Sequence, residues 1–253
     1  MGLKRYVNYF HIDEWSSLYM LYKYNKVYVS DITFGITQFC TLKCEYCNSF
    51  IPKIKNPINY SLEEMKETIQ TYFQWVDEVN VLALCGGDAM VYPHFDELLQ
   101  WIVKEYYPRR AKHIEIYSNA VIVPTEMQLE FFKKNKIVYR FTDYSSMTGK
   151  QKITEVIELL ERYDIMYDHV QFKEWYDCGY PQKSNGISSE QGLINFFDMC
   201  DRKTCHGVWN NKIFFCSMCF YADLIKYCEL DESDCFDLKK YDEKRKKEFV
   251  EYY

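Results

Sequence analysis

Residues 30–47 read Ser-Asp-Ile-Thr-Phe-Gly-Ile-Thr-Gln-Phe-Cys-Thr-Leu-Lys-Cys-Glu-Tyr-Cys. Alternating Ile32, Phe34 and Ile36 predict a strand, and it runs straight into three thiols, Cys40, Cys44 and Cys47, at C-x-x-x-C-x-x-C spacing. With 11 cysteines in 253 residues, random placement gives this triplet about 0.02 times per chain. Three thiolates on one tight loop can hold three irons of a four-iron cube, because thiolate is the soft ligand such clusters take. No fourth cysteine lies nearby, which leaves one iron open to a non-protein ligand. Buried structural thiols are the plain alternative. Zinc is the other, but it usually wants a second close pair of ligands, which this triplet lacks.

The chain outward from this loop reads as one main domain with a small appendage. Hydrophobic residues at 48% suffice for a sizeable core, and no apolar run approaches bilayer-spanning length. A net charge of −6 argues against a nucleic-acid binder that relies on neutralising phosphates. An odd number of thiols without a secretory leader fits poorly with a disulfide framework and points to a reducing, cytoplasmic compartment. Residues 1–30, rich in aromatics (Tyr6, Tyr9, Phe10, then Trp15, Leu18, Tyr19, Leu21 and Tyr22), form an N-terminal lead-in expected to pack on the main domain.

After the cysteine loop, Ser61 and Glu64 make a capping box ahead of helical spacing at Met65, Ile69, Tyr72, Phe73 and Val76. The apolar run Val79–Leu84 is a buried strand ending in Gly86-Gly87-Asp88. A helix follows (Phe95, Leu98, Leu99, Ile102, Val103), then a strand from His113 to Tyr117 that ends in Ser118-Asn119. Thr125 with Gln128 opens the next helix, and a strand from Ile137 to Thr142 ends at Asp143. Ile153, Val156, Ile157 and Leu160 mark another helix, with a fifth strand near Ile165–Phe172. Strict βα alternation predicts an α/β fold, a parallel sheet with helices outside and ligands at the C-terminal strand ends.

The cysteine triplet followed one strand later by Gly86-Gly87-Asp88 resembles the radical S-adenosylmethionine (SAM) superfamily. The resemblance implies a partial (β/α)6 TIM-like barrel over residues 31–176, holding a [4Fe-4S] cluster whose open iron chelates SAM. Reduction by a flavodoxin- or ferredoxin-type electron donor then yields a 5'-deoxyadenosyl radical. On this resemblance the Gly86-Gly87-Asp88 backbone pairs with the SAM amino group, with Asp where the family has Glu, and Tyr46 packs on the adenine. Ser118 and Asn119 lie near the ribose and carboxylate, and Asp143 and Ser145 meet ribose or substrate, or serve only as a helix cap.

Six cysteines fall from Cys200 onward, four of them as Cys200-x4-Cys205-x10-Cys216-x2-Cys219. Asn210-Asn211 between apolar arms reads as a two-residue hairpin turn. A hairpin flanked by thiols resembles the SPASM and shorter twitch appendages of the same superfamily. Residues 177–253 are then a twitch-like domain, a β-hairpin plus helix, with an auxiliary [4Fe-4S] cluster on Cys200, Cys205, Cys216 and Cys219. Cys178 is the alternative ligand, Cys85 an ordinary thiol, and Cys228 and Cys235 are too few and too late for a second auxiliary cluster. An all-thiolate zinc site would use the same residues.

Chains of this size and layout resemble dehydrogenases that oxidise a carbinol of a sugar or aminocyclitol. Such a reaction also removes a hydroxyl proton, so a polar or basic group is expected at a strand end, with Arg140, Asp143, His169 and Lys173 as candidates and Arg140 and Lys173 named as catalytic. The alternative is a maturase that crosslinks, forms a thioether in or epimerises a ribosomally made peptide. The expected partners are a small sugar-like substrate or a peptide, with neither nucleic acid nor membrane.

Overall fold

The computed structural model describes residues 14–175, 189–200 and 205–253, with side chains from residue 17 on. Tyr6, Tyr9, Phe10 and Cys178 lie outside the described residues, as does the Trp15 side chain.

The elements follow in the order α1 (Glu14–Tyr24), β1 (Tyr28–Thr37), α2 (Leu62–Trp75), β2 (Glu78–Gly86), α3 (Phe95–Glu105) and β3 (Ala111–Ser118). Next come α4 (Glu126–Asn135), β4 (Val138–Asp143), α5 (Ile153–Arg162), β5 (Tyr167–Gln171) and α6 (Glu190–Asp198). The chain closes with β6 (Gly207–Trp209), β7 (Lys212–Phe214), α7 (Ser217–Leu224), β8 (Cys235–Asp237) and α8 (Lys246–Tyr252). One eight-stranded sheet runs β5-β4-β3-β2-β1-β6-β7-β8. Strands β1 to β5 are parallel, each reached through a helix, as βα alternation requires. The sheet is an open, partial barrel, with β5 and β8 at its edges.

Both capping boxes form. The Ser61 hydroxyl accepts from Glu64 N while the Glu64 carboxylate accepts from Ser61 N, and Thr125 and Gln128 do the same for α4. Even-numbered positions of β1 (Ile32, Phe34, Ile36) and β3 (Ile114, Ile116) meet Met65, Ile69, Leu98, Leu129 and Val156 of the helices in one buried core. Each such side chain taken fully out of water contributes about 1.5–3 kcal/mol. Leu18 and Leu21 of α1 pack against that core. At the far end Trp75 stacks on Phe249 and donates its indole N–H to the Leu238 carbonyl at 2.8 Å, tying the C-terminal segment to α2.

The hairpin does not hang off the sheet. β6 pairs in parallel with β1, Thr33 opposite Gly207 and Phe34 opposite Val208, and β7 and β8 continue antiparallel. Asn210 and Asn211 both take positive φ (51° and 59°), as the tight turn demands. Among the described residues, no helix is long and apolar enough to cross a membrane.

Candidate functional site

The C-terminal ends of β1, β2 and β3 meet at the cysteine loop. Beyond β1, Gly87 N donates to the Thr37 carbonyl (3.1 Å) and Asp88 N to the Phe39 carbonyl (3.0 Å), stitching the start of the loop to the end of β2. Glycine is required here. A Cβ on Gly87 would stand 2.1 Å from the Phe39 carbonyl oxygen and 2.8 Å from the Cys40 Cβ, and Gly86 has φ +157° with the Thr37 carbonyl 2.3 Å from any Cβ.

Asp88 is 1% exposed and faces inward. Its carboxylate accepts from Met90 N (2.9 Å), Asn119 N (2.9 Å) and the Ser118 hydroxyl (3.2 Å). Burial pushes its carboxyl up, and these three donors work against that shift. The shorter carboxylate therefore ties β2 to β3. Asn119 in turn reaches back to the cysteine loop, its amide 3.3 Å from Cys40 Sγ and 2.9 Å from Thr41 Oγ1.

The three thiols are held for the charged form yet crowded against it. Cys40 Sγ accepts from Leu42 N at 3.4 Å as well as from Asn119. The backbone N–H groups of Ser49, Phe50 and Ile51 favour a thiolate at Cys47. Burial nonetheless pushes Cys40 up to about 11 and Cys44 up to about 12, with mutual repulsion among the three adding to it, and Cys47 is also raised. Donors aimed at sulfur, with no Lys or Arg among the described residues acting on the three thiols, fit a soft cationic group held by all three. The residues thus suit an iron–sulfur cube. Among the described residues, no three Cys, His, Asp or Glu side chains converge closely enough to hold a single metal ion.

The other expected residues separate into two sets. Tyr46 is half-buried and packs with Phe50, Trp209, Phe214 and Phe220. Asp143 is buried, accepting from Ser145 N (2.8 Å) and Gln171 Nε2 (3.0 Å), which makes a local turn; α5 begins only at Ile153, so Asp143 caps no helix. Ser145 is exposed. His169 stacks on Phe141 at 5.2 Å with ring planes 7° apart, on the helix-packed face, and Lys173 lies exposed in the bend after β5.

Arg140 occupies the opposite face of β4. Its guanidinium lies 2.6 Å from Glu115 Oε2 on β3 and donates to Asp168 Oδ2 on β5 at 2.8 Å. Glu115 is 1% exposed. Beside this line, burial and the Glu115 charge push the Tyr117 phenol up, and Arg140 and Cys85 also act on it. Tyr221 of α7 belongs to the buried cluster that also takes in Phe50 of the cysteine loop and touches Cys85 of β2. Glu115, Asp168 and Tyr221 went unnamed in the sequence reading, and Tyr117 figured there only as the end of a strand. The alternation His113-Ile114-Glu115-Ile116-Tyr117, polar at odd positions, is the signal that would have found two of them.

The second thiol group sits around the hairpin that pairs with the middle of β1. β6 enters level with Thr33, so Cys205 lies towards the N-terminal end of the sheet, and the chain returns there at Cys216. Cys216 and Cys219 are 3.9 Å apart and share a proton, which draws Cys216 down to about 6 and pushes Cys219 up. Cys235 pairs with Phe214 across β7 and β8, and the Tyr252 hydroxyl feels Cys235 and Cys219 together. Cys200 follows α6 and is half-buried. Cys235 thus lies on the strand beside the arm that leads to Cys216, although its place in the sequence gave no hint of it.

Comparison with known proteins gives this geometry a setting. BtrN in complex with AdoMet and 2-DOIA matches with a TM-score of 0.54 and 16% identity over 88% of this chain and 85% of its own, a likeness of fold. The anSMEcpe structure with bound AdoMet (16% identity, TM-score 0.46) covers 55% of this chain, which spans 42% of its length. SuiB of Streptococcus suis bound to precursor peptide SuiA has 14% identity and a TM-score of 0.45, over 82% of this chain and 64% of that one. No curated protein matches the sequence. The Radical SAM superfamily model matches residues 34–165, just over half of the chain, from the second half of β1 past the end of α5. This protein belongs to the radical SAM superfamily.

Proposed function

We propose that Cys40, Cys44 and Cys47 ligate a [4Fe-4S] cluster that binds SAM, and that the protein oxidises a carbinol of a sugar or aminocyclitol. When bound, the cluster and SAM supply one-electron cleavage to a 5'-deoxyadenosyl radical that removes a hydrogen atom from carbon. The carrying observation is the Glu115–Arg140–Asp168 line, charged and spanning three strands on the face of the sheet opposite the main core. Such alternating donors and acceptors suit a hydroxylated ring better than an apolar peptide side chain. Arginine stays protonated in proteins, so Arg140 orients a substrate hydroxyl rather than taking its proton. Asp168, only partly covered, accepts that proton. Cys205, Cys216 and Cys219, with Cys235 or Cys200 as the fourth ligand, would hold an auxiliary [4Fe-4S] cluster, which would supply an acceptor for the second electron. Residues 177–253 then form the twitch-like domain, and Gly86, Gly87 and Tyr46 border the SAM site. BtrN, bound to AdoMet and 2-DOIA, is in keeping with this reading.

The test is anaerobic reconstitution, dithionite, SAM and sugars or aminocyclitols deuterated at their carbinol carbons. Deuterium should appear in 5'-deoxyadenosine together with a ketone product. Deuterium arriving only from a labelled peptide would favour the maturase reading. Colourless protein carrying zinc would sink both.

A further inference from the structure

We infer that Asn119 sets how readily the SAM-binding cluster accepts an electron, by donating its side-chain amide to the Cys40 sulfur; this rests on Cys40, Cys44 and Cys47 being the cluster ligands. The sequence resemblance places Asn119 towards SAM, whereas the structure turns its amide onto the cysteine loop. Asn119 Nδ2 stands 3.3 Å from Cys40 Sγ, across 79 residues of sequence. The direction of the amide is fixed by its other arm, since Oδ1 accepts the Val121 N–H at 3.0 Å and the nitrogen must therefore face the sulfur. The residue is 6% exposed and locked at its backbone as well, N–H to Asp88 and carbonyl to Gln151 Nε2.

A donor on a ligating sulfur draws electron density from it and so favours the reduced, more negative cluster. Burial strengthens the effect, because little water competes for the sulfur. Aspartate has the same shape but would set a carboxylate oxygen against the thiolate. Alanine would leave Leu42 N as the remaining donor identified on Cys40 Sγ.

The full chain, reconstituted anaerobically, is titrated by potential and followed through the EPR signal that SAM perturbs. For Asn119→Ala, the reduced-to-oxidised ratio at the wild-type midpoint should fall about tenfold, which is 59 mV for one electron. Asn119→Asp should fall further, and both should recover 5'-deoxyadenosine release with a stronger reductant such as titanium(III) citrate. Wild-type midpoints in both variants with the cluster intact would overturn the inference. Should neither variant hold iron, wild-type protein labelled with 15N only at the asparagine side-chain amides decides. Pulsed EPR of its reduced cluster must then show a nitrogen coupling, and its absence overturns the proposal. Failure of the underlying assignment looks different: the SAM-perturbed signal would survive replacement of Cys40, Cys44 and Cys47.

Discussion

One thiol group lies beyond the C-terminal end of β1 and the other around the hairpin that pairs with the middle of that strand, and the two are built in opposite ways. Cys40, Cys44 and Cys47 sit within eight residues of chain, and their scaffold comes from afar, with the ends of β2 and β3 hydrogen-bonded to the loop. The hairpin group is scattered from Cys200 to Cys235 and is gathered by the register of three short strands. Their electrostatics differ too, since burial raises the first set while the Cys216–Cys219 contact lowers Cys216. A local motif with a distant scaffold is easy to read and hard to mutate around. A distributed site is the reverse.

The contrast can be broken or sharpened at several points. Replacing Cys40, Cys44 and Cys47 together by alanine should abolish 5'-deoxyadenosine release and remove about half of roughly eight irons per chain, measured by chromatography and iron assay. Arg140→Met, which touches neither thiol group, should cost about 3–5 kcal/mol by removing the cation beside buried Glu115, read as a lower urea midpoint. Gly35→Ala strikes the hairpin first, through Trp209. Its Cβ would fall 1.7 Å from Trp209 Nε1, so it should cost at least about 1–3 kcal/mol as overpacking and deplete the auxiliary iron first. Iron lost instead from the SAM site would mean the two groups are not separately supported.

The smallest effects are those of pH on the metal-free protein, and they carry opposite signs. Cys40 and Cys44 hold their protons to about 11 and 12 against an ordinary 9.0, so between those values the folded state binds more protons than the unfolded one. Stability should fall as pH climbs above 9. Cys216 ionises at about 6, so its contribution is full near pH 9 and is lost as pH falls through 6. Urea midpoints of wild type, Cys40→Ser and Cys216→Ser across pH 6–10 would separate the two trends.

Much of the first site was legible because its signals are local. Spacing gave the triplet, strand alternation gave β1, and the Ser61–Glu64 and Thr125–Gln128 boxes gave the helix starts. Asn210-Asn211 announced its turn in the same way. What stayed hidden depends on pairing between distant segments. Nothing near Gly207 says that it lies beside Thr33, and nothing near Cys235 says that it faces Phe214. Arg140 was visible as a strand-end charge, but its partners Glu115 and Asp168 are set by the registers of β3 and β5. Asp88 suggested a ligand contact from its motif, yet its carboxylate is taken up by Ser118, Asn119 and Met90. Side-chain direction is not written in a tripeptide.

One consequence follows from the seam between β1 and β6. Main-chain bonds, not a tether, join the hairpin to the strand that launches the cysteine loop. Amputation before Cys205 would bare the flank of β1 at Thr33 and Phe34, an invitation to intermolecular stacking. The carboxy-terminal fifth is thus a side wall whose loss would leave the remainder sticky.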